Sequence, residues 1–453
     1  MSIAGIAVII IYVCALLYSI ASKKIKKFRY SAFKLMIAGT MFINVGVAVF
    51  NKSFVFLFEI LYLFTIILGG GYRVKKDALV ASLISIGCVL VSYVHLIIGD
   101  DLPSVIPMAE RMDDAYYVGL SILQEAKFSG YNYSQFLYYS IFIVLVLFSL
   151  EYIKNNGDDI LDFVKMSFYV FFVIWTIEFI LNNIVSAELV RDIVYKFFGG
   201  ATDEKTYYPQ LRNGFYGFVG LFSEQSYIGI MIVYYSISYI KGIRTKKEFV
   251  WFLYSIIILL INGSTTGIML VPFAAVVLVM HYFANKRIKK QQAVRMLFSL
   301  AALIGVIVLI IVSQQELFQA LITATKTKIT AYLVGGSGYS TSDQRSAAIR
   351  ILANRIALSA LKKCPLFGVG IGTSRGYGIL VGTLLCNGII GMVAYFYFIK
   401  ESFCLKVKNT NIILLLIVLM YSYMLLMPWF VYYACFIPLY LCFQPNRNRI
   451  LME

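Results

Sequence analysis

Apolar stretches long enough to cross a bilayer recur along almost the whole chain, and they limit the fold more than any other feature. A hydrocarbon core roughly 30 Å thick needs about 20 helical residues at about 1.5 Å each. About thirteen stretches come near that length: 3–22, 33–50, 54–71, 78–98, 136–153, 161–183, 215–240, 249–262, 267–284, 293–313, 376–399, 410–427 and 430–444. Backbone polar groups inside lipid must be satisfied within the segment itself, so such spans are helices. The expected fold is therefore all-α, a single polytopic membrane domain over residues 1–453 with about thirteen (12–14) transmembrane helices. Composition agrees, because 14% charged residues against 60% hydrophobic ones is far below the roughly 25% charge of a soluble domain. The pair 249–262 and 267–284 is separated only by Gly263-Ser264-Thr265-Thr266, and the last two spans by a turn at Pro428, so either pair can be a helical hairpin of short spans. The first stretch has no basic segment before it and no small-residue cleavage site after it, and reads as a retained helix rather than a signal peptide.

The formal net charge of +17, from 40 basic and 23 acidic residues, would suggest a nucleic-acid partner in a soluble protein. Here the basic residues cluster in short connections: Lys23 to Arg29, Arg73 to Lys76, Lys154, Lys241 to Lys247, Lys286 to Lys290, Lys400 to Lys408, and Arg447 with Arg449. The positive-inside rule makes these loops cytoplasmic. The N-terminus is then expected outside, the C-terminus inside, and the long loops 99–135, 184–214 and 314–375 on the outer face. No nucleic acid is expected as a partner; membrane lipid is. Function is expected where the extramembrane mass lies, on the outside.

Five of the seven cysteines (Cys14, Cys88, Cys386, Cys435, Cys442) fall inside spans and only Cys364 lies in an outer loop, so no outer disulfide is expected within one chain. No Cys/His spacing resembles a metal site, and no metal or cofactor is expected. The acidic pairs Asp100-Asp101 and Asp113-Asp114 read as solvated loop charges. Ionisable groups within a span are costly and mark function by default. Helical rise puts Glu59, Glu178 and Glu224 roughly 21, 24 and 26 Å above the inner boundary, all in the outer half, and His95 about 27 Å up. Glu224 stands out, because Ser223, Gln225 and Ser226 make a polar ring around it in an otherwise apolar span.

In the last outer loop, Thr341-Ser342-Asp343-Gln344 reads as a capping box that opens a helix, which ends at Lys363 before Pro365. Ile349, Leu352 and Ile356 form its apolar stripe. Arg345, Arg350 and Arg355 are five residues apart, so each points roughly 140° from the last and they cannot all serve one ligand. Next comes Pro365-Leu366-Phe367-Gly368-Val369-Gly370-Ile371-Gly372-Thr373-Ser374-Arg375, then a span with Cys386-Asn387-Gly388-Ile389-Ile390-Gly391. Alternating glycines let backbone approach a ligand, and free N–H groups in succession can form an anion nest.

These elements together resemble the O-antigen polymerase and ligase family (Wzy-type polymerases and their ligase relatives). The resemblance rests on the arginine-bearing outer helix, the Pro-Leu-Phe-Gly-Val-Gly turn after Arg350 and the Gly-Ile-Ile-Gly span. Arg212-Asn213-Gly214, followed by Gly220-Leu221-Phe222-Ser223-Glu224, is similar to the family's arginine and Gly-Leu-Phe-x-Glu element. The chain departs from the family at Ser264-Thr265-Thr266-Gly267, which lacks an arginine, and in having no histidine within 314–375; the second departure favours polymerase over ligase.

The resemblance implies glycosyl transfer on the outer face of the cytoplasmic membrane. The donor is a saccharide on polyprenyl pyrophosphate and the acceptor a sugar hydroxyl of a second lipid-linked repeat. It assigns Arg212 and Arg350 to the pyrophosphate and Glu224 to the acceptor or base role. Arg345, Arg375, Gln225, His95 and Glu178 are further substrate-binding candidates. A chain-length-regulating protein is admitted as a partner. The competing readings are an O-antigen ligase and a lipid-linked oligosaccharide flippase. A flippase predicts two related halves with charges near the midplane, and the sequence has no such correspondence.

Overall fold

The computed structural model of the chain describes residues 3–38, 46–47, 52–69, 74–108, 123–198, 211–212, 215–218, 228, 246–262, 355–374 and 379–403. In chain order these form α1 (Ile3–Ala21), α2 (Ile25–Ala38), β1 (Gly46–Val47), β2 (Lys52–Ser53), α3 (Phe54–Gly69), α4 (Lys76–Ile98), β3 (Ser104–Val105) and β4 (Gln124–Glu125). There follow α5 (Gly130–Asn155), α6 (Gly157–Leu181), a π turn (Asn182–Ser186), α7 (Ala187–Phe198), β5 (Leu211–Arg212), β6 (Phe215–Tyr216) and α8 (Lys246–Asn262). The last two are α9 (355–363) and α10 (Ile379–Phe403). The strands pair only as two-residue antiparallel ladders, β1 with β2, β3 with β4 and β5 with β6. Among the described residues, Lys76–Ile98, Gly130–Ser149 and Asp162–Val194 are long and apolar enough to cross a membrane, and the described chain has the build of a helical membrane protein. The expected spans 267–284, 293–313, 410–427 and 430–444, and most of 215–240, lie outside the described residues.

The chain folds as two compact units. The first takes Met1–Gly71, Glu151–Gln319 and Ala434–Glu453, and the second Tyr72–Leu150 and Ala320–Tyr433. In lipid the tails are as apolar as leucine, so helices associate through close packing and hydrogen bonds rather than through escape from water. The first unit follows that rule. Fully buried Phe33 of α2 packs between Tyr62 of α3, with ring centroids 5.7 Å apart, and Tyr152, stacked at 5.5 Å. The Tyr12 hydroxyl donates to the Leu61 carbonyl at 2.9 Å, tying α1 to α3. Lys34 pairs with Asp159 at 3.0 Å and buried Lys165 with Glu248 at 3.2 Å, linking α6 to α2 and to α8. In the second unit α4 packs along α10. The hydroxyls of Ser85 and Tyr139 meet between α4 and α5, and Phe142 lies 6.2 Å from Phe398. Large aliphatic side chains such as Leu83, Ile97, Val170 and Val393 remain exposed, as faces turned to lipid require.

Two expected spans differ from the structure. The stretch 33–50 is not one helix: α2 begins at Ile25, carries Lys26, Lys27 and Arg29, ends at Ala38, and Gly46–Val47 is extended against Lys52–Ser53. Apolarity alone overlooks that Gly39, Thr40, Gly46 and Val47 are poor helix formers. Likewise the span 215–240 does not start as a helix at 215. Leu211 pairs with Tyr216 and Arg212 with Phe215, leaving Asn213-Gly214 as a two-residue connection, the strongest short-range hairpin signal in a sequence. The first part of the loop expected over 184–214 is helical, continuing α6 through the π turn into α7.

Candidate functional site

Two constellations stand out, one in each unit. The first is built on the hairpin that carries Arg212. A two-stranded hairpin is marginal by itself, and this one is held from outside. The Asn183 side chain pairs with the Tyr216 backbone as another strand would. Its Nδ2 donates to the Tyr216 carbonyl at 2.8 Å and its Oδ1 accepts the Tyr216 N–H at 2.8 Å. Asn182 Nδ2 donates to the Gly217 carbonyl at 2.8 Å, and Asn262 Nδ2, from the end of α8, to the Phe218 carbonyl at 3.1 Å. Phe215 lies 6.5 Å from Phe179, and buried Phe218 stacks on buried Trp175 at 6.1 Å. Three consecutive residues after the hairpin turn are thus fixed by amide side chains from two helices. The Oδ1 atoms of Asn182 and Asn262 are buried with no hydrogen-bond partner among the described residues. Both asparagines lie in the π turn, and they grip consecutive residues of the same segment. Glu178, half-buried, sits one turn before this point, and its carbonyl accepts the Asn182 N–H. The structure therefore brings the turn bearing Glu178 against the hairpin bearing Arg212.

The second constellation is the glycine-rich turn. Gly368, Gly370 and Gly372 all have positive φ, at 68°, 80° and 88°, which explains their spacing. The turn is not an open anion nest, and that expectation is corrected. The Gly368 N–H donates to the Cys364 carbonyl at 3.1 Å, the Gly370 N–H to the Cys386 carbonyl at 2.5 Å, and the Thr373 N–H to the Gly370 carbonyl at 3.4 Å. The Gly372 backbone is hydrogen-bonded to the Cys386 thiol. The glycines serve close packing: a Cβ on Gly370 would meet the Tyr93 ring at 2.8 Å, and one on Gly372 the Tyr131 carbonyl oxygen at 2.7 Å.

Asn132, fully buried at the start of α5, anchors the same turn. Its Nδ2 donates to the Ile371 carbonyl and to Thr373 Oγ1, both at 2.8 Å, while its Oδ1 accepts the Ser129 N–H at 2.7 Å. The Tyr93 hydroxyl donates to the carbonyls of Asn132 and Ile371 at 2.8 and 3.0 Å. Beneath lies a small core of Leu96, Val105, Ala126, Ala357, Ala360 and Val369, so the buried face of α9 is set by Ala357 and Ala360, with Ile356 half-buried. His95, one turn from the end of α4, packs its ring 5.8 Å from Phe367, and its Nδ1 is buried with no hydrogen-bond partner among the described residues. Arg355 is exposed, and Asp101 pairs with Lys363 at 3.1 Å.

Of the sequence-derived site residues, the structure describes Glu178 and His95 fully and Arg212 by its backbone. Glu224, Gln225, Arg345, Arg350 and Arg375 lie outside the described residues. Glu59 is fully buried in α3 with neither carboxylate oxygen hydrogen-bonded among the described residues. Sequence reasoning missed Asn132, Asn182, Asn183 and Asn262, because it searched the spans for ionisable groups. An Asn-Asn pair closing an apolar helix, and an Asn at the end of another, were signals of the same kind.

Comparison with known proteins adds one match. Residues 250–381 fit the family model described as O-Antigen ligase, a segment that contains most of α8, all of α9, the glycine-rich turn and the first residues of α10. No curated protein and no solved structure matches the chain. The motifs at 350–391 and this match over 250–381, less than a third of the chain, point the same way and support a likeness to the O-antigen polymerase and ligase family.

Proposed function

We propose that the chain is a polysaccharide polymerase that joins lipid-linked oligosaccharide repeats by glycosyl transfer at the outer face of the cytoplasmic membrane. The match over 250–381 supports the coarser part of this reading, a chemistry of the O-antigen ligase and polymerase type. The acceptor hydroxyl oxygen forms a bond to the anomeric carbon of the donor saccharide while the bond from that carbon to the pyrophosphate oxygen breaks. The electron pair of the broken bond leaves on polyprenyl pyrophosphate, and the hydroxyl proton passes to a base. Charge grows on the leaving group, where fixed guanidinium groups stabilise it, and the acceptor needs a carboxylate or comparable base.

Arg212 and Arg350 take the pyrophosphate and Glu224 the proton. Support for side-chain rather than backbone recognition comes from the glycine-rich turn, whose N–H groups at Gly368, Gly370 and Thr373 are already spent on protein carbonyls. Arg345, Arg375, Gln225, His95 and Glu178 line the substrate in this reading. The N-terminus lies outside and the C-terminus in the cytoplasm. The absence of histidine from 314–375 favours polymerase; the family model's own description favours the alternative, transfer to a different acceptor by a ligase.

Purified protein incubated with one lipid-linked repeat decides between them. Oligomers formed without another acceptor, and lost in Glu224→Gln, are the expected result. No oligomer from the repeat alone, with transfer once a lipid A-core acceptor is added, would overturn the polymerase reading in favour of the ligase.

A further inference from the structure

We propose that Asn182, Asn183 and Asn262 are positioning residues for Arg212: they fix the strand that leaves its hairpin and so fix the backbone that carries Arg212, an inference that rests on the pyrophosphate role given to Arg212 above. A guanidinium stabilises developing charge without reorganisation only if its backbone is fixed beforehand. The hairpin has two rungs, Leu211 with Tyr216 and Arg212 with Phe215, too few to fix themselves. Rigidity comes instead from the amides on Tyr216, Gly217 and Phe218.

Two details argue that this is more than a way of closing off a chain end. Asn182 and Asn262 are 3% and 1% exposed, yet among the described residues each leaves its Oδ1 without a donor, a cost that an apolar residue would avoid and that in a native structure asks for a reason. The helix also departs from α geometry at this point, and single π turns inside helices are frequent at functional sites.

The test measures binding of geranylgeranyl pyrophosphate to the detergent-purified full chain, with geranylgeranyl monophosphate as the control. Arg212→Ala should weaken pyrophosphate binding about tenfold, the change that 1.4 kcal/mol gives. Asn183→Ala should weaken it to a similar degree. In the double variant the loss should stay within about twofold of either single change, because both act through one contact. A merely structural asparagine would lower the melting temperature and leave the affinity of the folded protein unchanged.

Wild-type affinity in Asn183→Ala, or losses that multiply in the double variant, would overturn the inference while leaving the role of Arg212 intact. If wild type and Arg212→Ala bind alike, or wild type does not bind, the pyrophosphate role fails and this inference with it. Asn262→Ser, which releases the same strand from the other helix, must show the same pattern with Arg212→Ala, and decides the matter where Asn183→Ala does not fold.

Discussion

Gly388 offers the sharpest test of how the second unit is built. It interrupts α10 with φ 61° and ψ −168°, and the glycine-rich turn packs directly on the break. A Cβ there would sit 2.5 Å from the Leu366 carbonyl carbon and 2.7 Å from the Gly368 nitrogen, and nearer still to the Leu366 oxygen. All three are backbone atoms and cannot swing aside. Gly388→Ala therefore carries two costs. This positive-φ conformation with ψ near 180° is essentially restricted to glycine and costs roughly 1–3 kcal/mol for alanine. Relieving the overlap by about 1 Å would also stretch the bonds from the Ile389 N–H to the Pro365 carbonyl at 2.9 Å and from the Ile390 N–H to the Leu366 carbonyl at 3.2 Å, each worth about 1 kcal/mol. The total is about 3–5 kcal/mol, in the range where a single substitution is diagnostic. Gly87→Ala is the matched control: it lies inside α4, and an added Cβ meets nothing within 4 Å, so it should be neutral or stabilise by up to about 1 kcal/mol. Thermal unfolding in detergent reads both. At roughly 2–4 °C per kcal/mol for a unit of this size, Gly388→Ala should melt about 10 °C below wild type and Gly87→Ala at or above it. A Gly388→Ala protein melting within about 2 °C of wild type would refute the idea that this break and the 365–374 turn are locked together.

Three further outcomes are expected. Arg350→Lys should lose most polymer yield per folded protein while Arg355→Lys, at an exposed position, loses little, because a point charge poorly replaces a bidentate guanidinium on phosphate; equal, mild losses would make the helix an interfacial anchor. An accessibility tag near Gly336 should label from outside and one after Asn446 only after permeabilisation; finding both on one side would overturn the span count. Hydrogen bonds from Tyr30, then Lys34, hold the Asp159 carboxyl below its ordinary range, so its stabilisation is present above about pH 4 and is lost as pH falls through the lowered value; since the pair is exposed, Asp159→Asn should cost less than ~1 kcal/mol at pH 6 and nothing measurable in strong acid.

Where the sequence was legible, one-dimensional physics sufficed. α1, α3, α4, α8 and α10 lie within a few residues of the stretches marked by apolarity, because the same transfer energy that places a side chain in lipid sets the helix length. Transfer energy says nothing about backbone pairing, and the failures are of that kind. The Gly46–Val47 ladder and the Arg212 hairpin are decided by glycine, β-branching and an Asn-Gly turn inside apolar sequence.

The glycine-rich turn shows a deeper limit. Read locally, alternating glycines suggest a row of free amides, and their positive φ values bear out the local geometry. Whether those amides are free depends on Cys364 and Cys386, which meet the turn only in three dimensions. The asparagines follow the same logic: Asn132 reaches across to Ile371 and Thr373, and Asn183 to Tyr216, and neither carries a charge to draw notice. Among the described residues these uncharged amides hold backbone segments together, because an amide can satisfy backbone groups on both sides without the desolvation cost of a charge. On the proposed function charge is reserved for the substrate, and Arg212 and Arg350, rather than the glycine backbone whose N–H groups at Gly368 and Gly370 are already bonded, are the groups to vary first.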